Sequence, residues 1–187
     1  MPRRNLIDTF EAAKHAGPYD EYPVLLESAD PQLHLSRNDR PQPFLLTCGK
    51  DSILVQMSGA SRIEMRDSSV LYFDAVPGDY IYVPAGTPHR IVPSEASVMY
   101  RYKACQAGLE ALTFTCDSCG ETLFQETWDT AAEMPQLAYQ RIVERFNGDP
   151  ALRTCSCGHE TPAIDLADYR WKAIAEELSA TEAEEAW

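Results

Sequence analysis

Gly78-Asp-Tyr-Ile-Tyr-Val-Pro84-Ala-Gly86-Thr-Pro-His89-Arg-Ile-Val-Pro93 reads as a turn, a strand, a bend and a second strand. Gly78-Asp79 predicts a tight turn feeding a strand, because glycine enters left-handed turn conformations without steric strain. Pro84-Ala-Gly86 then bends the chain and sets His89 at the start of the next strand, where its side chain can point inward. A histidine standing alone is usually a satisfied core or surface group. Between a bend and a strand it becomes a candidate for lining a pocket.

Outward from this stretch, from about Val24 to Tyr102, β-branched and aromatic runs alternate with turns. They cover 53–57, 61–65, 70–73, 80–83 and 97–102. Short strands at this spacing predict an antiparallel sandwich or barrel. Residues 1–16 are expected to be helical, with Leu6, Phe10 and Ala13 on one face, and a loop with Pro18 and Pro23 follows. After Cys119 the pattern turns helical. A helix over 135–146 can bury Leu137, Ile142, Val143 and Phe146, and another over 164–185 can bury Trp171, Ile174 and Leu178. The expected organisation is an N-terminal helix and loop over 1–23, a barrel over 24–110, and a cysteine-bearing, mainly helical extension over 111–187.

The chain has 187 residues and a net charge of −13. It is long enough for one domain with a sizeable core. Its acidity argues against a nucleic-acid partner, since phosphates are repelled. No apolar run is long enough to cross a bilayer, so no membrane partner is expected. Glu176, Glu177, Glu182, Glu184 and Glu185 are expected on a solvated helix or tail. Met1-Pro-Arg-Arg-Asn is basic but no apolar segment follows it, which predicts a cytoplasmic, reducing location.

The extension holds two cysteine turns, Cys116-Asp-Ser-Cys119-Gly120 and Cys155-Ser-Cys157-Gly158. Each can aim two sulfurs at one point, and together they predict a tetrahedral, structural Zn or Fe site. His159 is a substitute ligand should the one-residue spacer of the second turn strain the fourth position. The alternatives are a pair of disulfides or simple buried thiols, and a reducing compartment favours the metal. Cys105 reads as a small buried hydrophobe.

The stretch 78–93 resembles the second cupin motif, glycine, five residues, proline, one residue, glycine, two residues, histidine, without a gap. The resemblance implies a mainly β fold, a cupin double-stranded β-helix or jelly-roll barrel, carrying a C-terminal, mainly helical extension with a four-cysteine metal site. The first cupin motif supplies two histidines and a glutamate, six residues before a glycine. Counting back from Gly59, those positions hold Leu46, Cys48 and Ser52.

Over most of its length the chain resembles the bacterial 3-hydroxyanthranilate 3,4-dioxygenases, cupins with a rubredoxin-like C-terminal metal site. The resemblance lies in Ile53-Leu-Val-Gln-Met-Ser-Gly59, Pro77 to His89, Thr115-Cys-Asp-Ser-Cys-Gly120, Glu133-Met-Pro-Gln-Leu137 and Arg153-Thr-Cys-Ser-Cys-Gly158. It implies an oxidoreductase with catalytic Fe(II), a small aromatic substrate and a homodimer. Of the iron ligands, however, only His89 is kept, and the family's substrate-binding arginines fall on Pro93 and, in a looser alignment, Gln42. A ring-opening dioxygenase needs a metal with open positions. Orthodox activity is therefore not expected.

Two replacements stay open. Cys48, Asp51 and His89 can converge as a rebuilt barrel metal site. Alternatively the pocket is metal-free, with His89 as general acid or base and Arg101 or Tyr102 binding an anion or phenolate. Strand alternation allows only one of Arg101 and Tyr102 to face inward. Arg37 and Arg40 are candidates for binding a carboxylate at the barrel mouth. His34 faces the pocket or solvent, and His15 is expected exposed. The expected function is that of a divergent, dioxygenase-like cupin enzyme acting on a small aromatic or amino-acid-derived acid. The alternative is a non-catalytic ligand-binding or scaffold cupin.

Overall fold

The bend after Val83 closes as a type II turn. Thr87 N–H donates to the Pro84 carbonyl (3.1 Å), and Gly86 takes the left-handed conformation (φ 76°) that this turn reserves for glycine. Gly86 N–H also donates to the Cys48 carbonyl (2.8 Å), fixing the turn to a neighbouring strand. In this computed structural model, residues 6–26 and 28–185 are described, with side chains through residue 180.

The strands are β1 (Tyr22–Pro23), β2 (Gln32–Asn38), β3 (Leu45–Cys48), β4 (Ser52–Ser58), β5 (Ser61–Met65), β6 (Tyr72–Ala75), β7 (Tyr80–Val83), β8 (His89–Pro93), β9 (Ser97–Lys103), β10 (Leu109–Thr115) and β11 (Thr122–Asp129). They form a five-stranded sheet in the order β1-β2-β9-β4-β7 and a six-stranded sheet in the order β11-β10-β3-β8-β5-β6. All paired neighbours are antiparallel. From β3 to β10 the chain crosses between sheets at nearly every connection. That winding is the double-stranded β-helix of the expected cupin barrel.

Alternation along the strands fills the lumen with Leu54, Ile63, Ile81, Val83, Ile91 and Met99. The opposite phase of the five-stranded sheet carries Leu35, Val55, Val98 and Tyr100. These are covered by Ala12 and Ala13 of α1 (Thr9–Ala13) and by Ile174 and Leu178 of α4 (Trp171–Glu185).

Several expectations need correction. The N-terminal helix is a five-residue turn capped by Asp8, whose carboxylate accepts from Phe10 and Glu11 N–H. Ala12 and Ala13 are its buried side, while Leu6 and Phe10 are exposed; residues 1–5 lie outside the described residues. The boundary expected at residue 110 falls inside β10, because β10 and β11 belong to the barrel's six-stranded sheet.

The extension is continuous with the barrel core. Phe146 of α2 (Pro135–Gly148) stacks on Phe114 of β10 at 4.1 Å, and Tyr139 meets Trp171 edge-on at 5.6 Å. Leu137 is exposed, and Ala138 and Tyr139 take its expected place inside. The final helix starts at Trp171, later than 164, because a 3-10 turn over Leu166–Asp168 precedes it. Glu176 and Glu177 are exposed as expected, and the side chains of Glu182, Glu184 and Glu185 lie outside the described set. No described helix is long and apolar enough to cross a membrane.

Candidate functional site

The two cysteine turns meet. Cys116 and Cys119 form the tip of the β10–β11 hairpin, and Cys155 and Cys157 follow α3 (Pro150–Arg153). All four sulfurs lie within 4.8 Å of one another, with Cys116 to Cys157 at 3.8 Å and Cys119 to Cys155 at 3.5 Å. A tetrahedron of about 2.3 Å metal–sulfur bonds has edges of about 3.8 Å, whereas a disulfide brings its sulfurs to about 2.05 Å. The spacing fits a metal and not a disulfide.

Matching backbone bonds shape the turns. Cys116 N–H donates to Glu121 O and Gly120 N–H to Cys116 O, both at 2.8 Å. Cys155 N–H donates to His159 O (2.8 Å) and Gly158 N–H to Cys155 O (2.9 Å). Gly120 (φ 76°) and Gly158 (φ 86°) supply the left-handed residue each turn requires. The one-residue spacer is therefore accommodated, and His159 contributes its carbonyl rather than its ring.

The Cys157 amide favours the Cys155 thiolate and pulls that thiol down to about 7. Cys119 is pushed up to about 12. The Glu121 amide favours its thiolate, but the sulfurs of Cys155 and Cys157 outweigh it. Four crowded thiolates need a cation, and Zn or Fe bound here would supply it. With four protein ligands such an ion has no open position for a substrate.

The barrel centre is built differently. His89 is fully buried on β8, opposite Leu46 of β3 and Met65 of β5. Its Nδ1–H donates to the Thr87 carbonyl (3.0 Å), which leaves Nε2 as the acceptor. That lone pair is taken: Arg101 Nη1 donates to it at 2.6 Å. Arg101 stands on β9, between His34 of β2 and Leu54 of β4, so its guanidinium crosses the lumen from one sheet to the other. Behind it, Arg101 Nε donates to Glu21 Oε1 (3.0 Å), and both side chains are almost wholly buried. Burial raises the Glu21 carboxyl, but the adjacent Arg101 overrides it and holds it below its ordinary value.

A second buried pair lies nearby, with Lys103 Nζ 2.6 and 2.8 Å from the two Glu110 oxygens. Burial, then Arg101, pushes the basicity of His89 down to about 3; burial, then Lys103, pushes His34 to about 4. Both imidazoles are neutral at neutral pH.

Glu21 is placed by a clamped segment. Tyr19 and Glu21 both adopt left-handed backbone conformations (φ 54° and 47°), uncommon for these residue types. Tyr19 N–H donates to Asn38 Oδ1 (3.0 Å), Glu21 N–H to Ser36 Oγ (3.2 Å), and Gln136 Nε2 to the Glu21 carbonyl (2.9 Å). Such conformations persist where the surroundings over-determine them. Glu21, Lys103 and Glu110 belong to no sequence motif. For Lys103 the signal was its phase: Met99, Arg101 and Lys103 alternate along β9 on one face.

The remaining candidates are not brought together as expected. Asp51 is exposed, and its carboxylate accepts from Ala85 N–H (2.9 Å) at the barrel rim. Cys48 faces the core, where burial pushes its thiol up to about 11. The Cys48, Asp51, His89 set does not converge; among the described residues, the cysteine quartet is the one cluster with metal-holding geometry. Tyr102 is in the outward phase of β9 and packs on the outer cluster with Leu33 and Met57. The acceptor nitrogen of His89 is covered by Arg101 in this arrangement. Arg40 pairs with Asp39 and Asp168, and Arg37 lies on the outward phase of β2, so neither reaches the lumen. Cys105 is exposed, not buried.

At the end of β2 and β9 a cavity of about 190 Å³ is bordered by His34, Lys103, Gln32, Met134 and Gln136. Glu21 Oε2, Arg101 Nη2, His34 Nδ1 and the Tyr139 hydroxyl are buried without a hydrogen-bond partner.

The sequence matches no protein-family model and no curated protein. Among solved structures the chain is similar to a hydroquinone 1,2-dioxygenase bound to cadmium and 4-hydroxybenzonitrile. That match has 18% identity and a TM-score of 0.45, covering 55% of this chain and 81% of the other. It is also similar to a hydroquinone 1,2-dioxygenase from a Sphingomonas species with 4-hydroxybenzoate bound (15%, 0.45, 54% and 80%). A third is a cupin-2 domain protein from Shewanella frigidimarina (17%, 0.45, 53% and 94%). The shared part is about half of this chain, and the fold is read from the chain's own strand order.

Proposed function

We propose that this protein is a cupin whose barrel no longer carries the Fe(II) ring-opening of the 3-hydroxyanthranilate dioxygenases it resembles. The barrel instead serves as a metal-free pocket for a small polar molecule, braced by a metal in the cysteine knuckle. The observation that carries this reading is the 2.6 Å contact between Arg101 Nη1 and His89 Nε2. The nitrogen a barrel metal would use is occupied by a guanidinium, and Glu21 holds that guanidinium in place. With Leu46 and Ser52 at the other ligand positions, no donor set suited to an open Fe(II) site is left.

Binding is favoured over a purely structural role by the polar end of the lumen. The unpartnered atoms of Glu21, Arg101, His34 and Tyr139 are groups that a polar guest or ordered water satisfies. The cavity is bordered by one of them, His34, and by Lys103. Arg101 and Lys103 balance Glu21 and Glu110, so the pocket suits a guest with both donors and acceptors. Small aromatic acids and α-amino acids are the first classes to screen.

Elemental analysis tests the metal-free part. One metal per chain is expected in the native protein and in His89→Ala, and none in Cys116→Ser. Two metals falling to one in His89→Ala, or oxygen uptake with 3-hydroxyanthranilate after Fe(II) loading, would overturn it. Ligand-observed NMR against the two compound classes tests the binding part. Signals lost on filling the cavity with His34→Trp support a pocket, and no signal from either class rejects it.

A further inference from the structure

A second cavity, of about 690 Å³, lies between the end of α1, strand β2 and the start of α4, away from the barrel lumen. Its size falls in the roughly 300–1,000 Å³ range of small-molecule sites. Ala16, Tyr22 and Ile174, buried in the outer cluster, give it an apolar floor. Charged side chains of both signs border it, Lys14, Arg37 and Arg170 against Asp20 and Glu177.

Most of these charges are already matched. Lys14 is held by Glu11 at 2.6 Å, and Arg170 Nη2 by Glu177 at 3.1 Å. Two groups of opposite sign are left. Arg37 is exposed and makes no ion pair among the described residues. Asp20 is wholly buried; its Oδ2 accepts from Gly17 N–H (2.6 Å) and lies 3.5 Å from Arg170 Nη1, while its Oδ1 has no hydrogen-bond partner. Burial raises the Asp20 carboxyl above its ordinary value, and the Gly17 amide and Arg170 offset this only in part. Gly17 joins the two groups. Its carbonyl accepts from Arg37 N–H (3.2 Å), and a Cβ on it would stand 3.2 Å from Asp20 Oδ1 and 3.5 Å from Arg170 Cδ. Its φ is not left-handed, so what glycine supplies here is room beside the carboxylate and not a turn.

We propose that this cavity binds a small zwitterion, an α-amino acid with an apolar side chain, whose carboxylate meets Arg37 and whose ammonium meets Asp20. The site is separate from the barrel, and the inference does not depend on the reading of the barrel. A guanidinium takes a carboxylate through two parallel hydrogen bonds. A buried carboxylate oxygen without a donor is costly, and an ammonium brings it both a donor and the opposite charge. The floor of Tyr22 and Ile174 receives the hydrocarbon side chain. The same charges select against a dianion such as a phosphate ester. Asp20 and Glu177 repel it, and of the three cations only Arg37 is uncommitted.

Protein-observed NMR with L-norleucine on the full chain tests the inference, read at the Gly17 and Arg37 amides. Hexanoate, which lacks the ammonium, and pentylamine, which lacks the carboxylate, should each bind ~10-fold or more weakly, because each gives up a charge-assisted hydrogen bond. Arg37→Gln should weaken norleucine by a similar factor and bring it level with pentylamine. Gly17→Ala, whose methyl takes the room beside Asp20 Oδ1, should remove the preference for norleucine over hexanoate. His34→Trp, at the barrel cavity, should leave these shifts unchanged, which separates this site from the lumen. Amides that stay still at millimolar norleucine overturn the inference. So does hexanoate binding the native chain as tightly as norleucine, or full affinity in Arg37→Gln. The comparison of the three compounds on the native chain decides the case in which Gly17→Ala fails to fold.

Discussion

In the knuckle four sulfurs converge within 4.8 Å, and among the described residues no protein cation stands between them. In the barrel the positive charge is part of the chain: Arg101 caps His89, leans on Glu21, and joins the two sheets. One site is open to completion by an ion, which can be removed. The other is completed by a side chain that cannot leave. The geometry that can hold a metal lies at the knuckle, outside the lumen, and the histidine inside the lumen is met by an arginine. A barrel with an internal guanidinium gains rigidity and loses open coordination positions.

This contrast can be broken most forcefully at the knuckle. Chelation or Cys116→Ser is expected to lower stability by roughly 5 kcal/mol or more, since thiolate–metal binding is coupled to folding. Chemical denaturation with and without chelator measures it, and an unchanged midpoint would remove the metal from the comparison. Next comes Arg101→Met, which leaves the Glu21 carboxylate buried without its partner and should lose about 3–5 kcal/mol. Pairing it with Glu21→Gln should return most of that loss. A double-mutant cycle showing simple additivity would mean the two residues are not coupled.

A third test uses protons. Unfolded histidines titrate near 6.5, while His34 and His89 in the fold are depressed to about 4 and about 3. Below 6.5 the unfolded chain therefore binds protons that the folded chain refuses. The histidine contribution is complete above pH 6.5 and is lost as pH falls toward 4 and then 3, at about 1.4 kcal/mol per pH unit for each ring. Melting followed from pH 7 to 4 should show histidine proton uptake on unfolding that peaks at about two near pH 5, reduced there by about one in His34→Gln. The smallest effect is expected at Asp51→Ala, which removes one exposed turn hydrogen bond and should cost about 1 kcal/mol with metal content unchanged. A drop in metal content there would reopen the rim as a ligand.

The barrel was legible where its information is local. The bend at Pro84-Ala-Gly86 and the strands Ser61–Met65 and Tyr80–Val83 lie where short-range chemistry put them. The cysteine turns were equally legible, since their spacing and glycines act within a few residues. The lumen was not, because its occupants come from distant segments. Glu21 and Arg101 are 80 positions apart, and Glu21 sits in a stretch that reads as a loop. Asp51 misled for the opposite reason. It neighbours Cys48 in sequence, but the turn between β3 and β4 points it to the rim. The phase of Arg101 against Tyr102 was fixed only by the register of β9 with β2 and β4.

The knuckle joins positions 36 and 41 residues apart, and β11, α2 and α3 all lie inside the loop it closes. An ion bound there turns an open chain into a ring at this point. A backbone cut between β11 and α2 would then leave two pieces still fastened at the hairpin tip, through bonds that a chelator can undo without touching a peptide bond. The hairpin and the second cysteine turn are, in that sense, the two halves of a clasp.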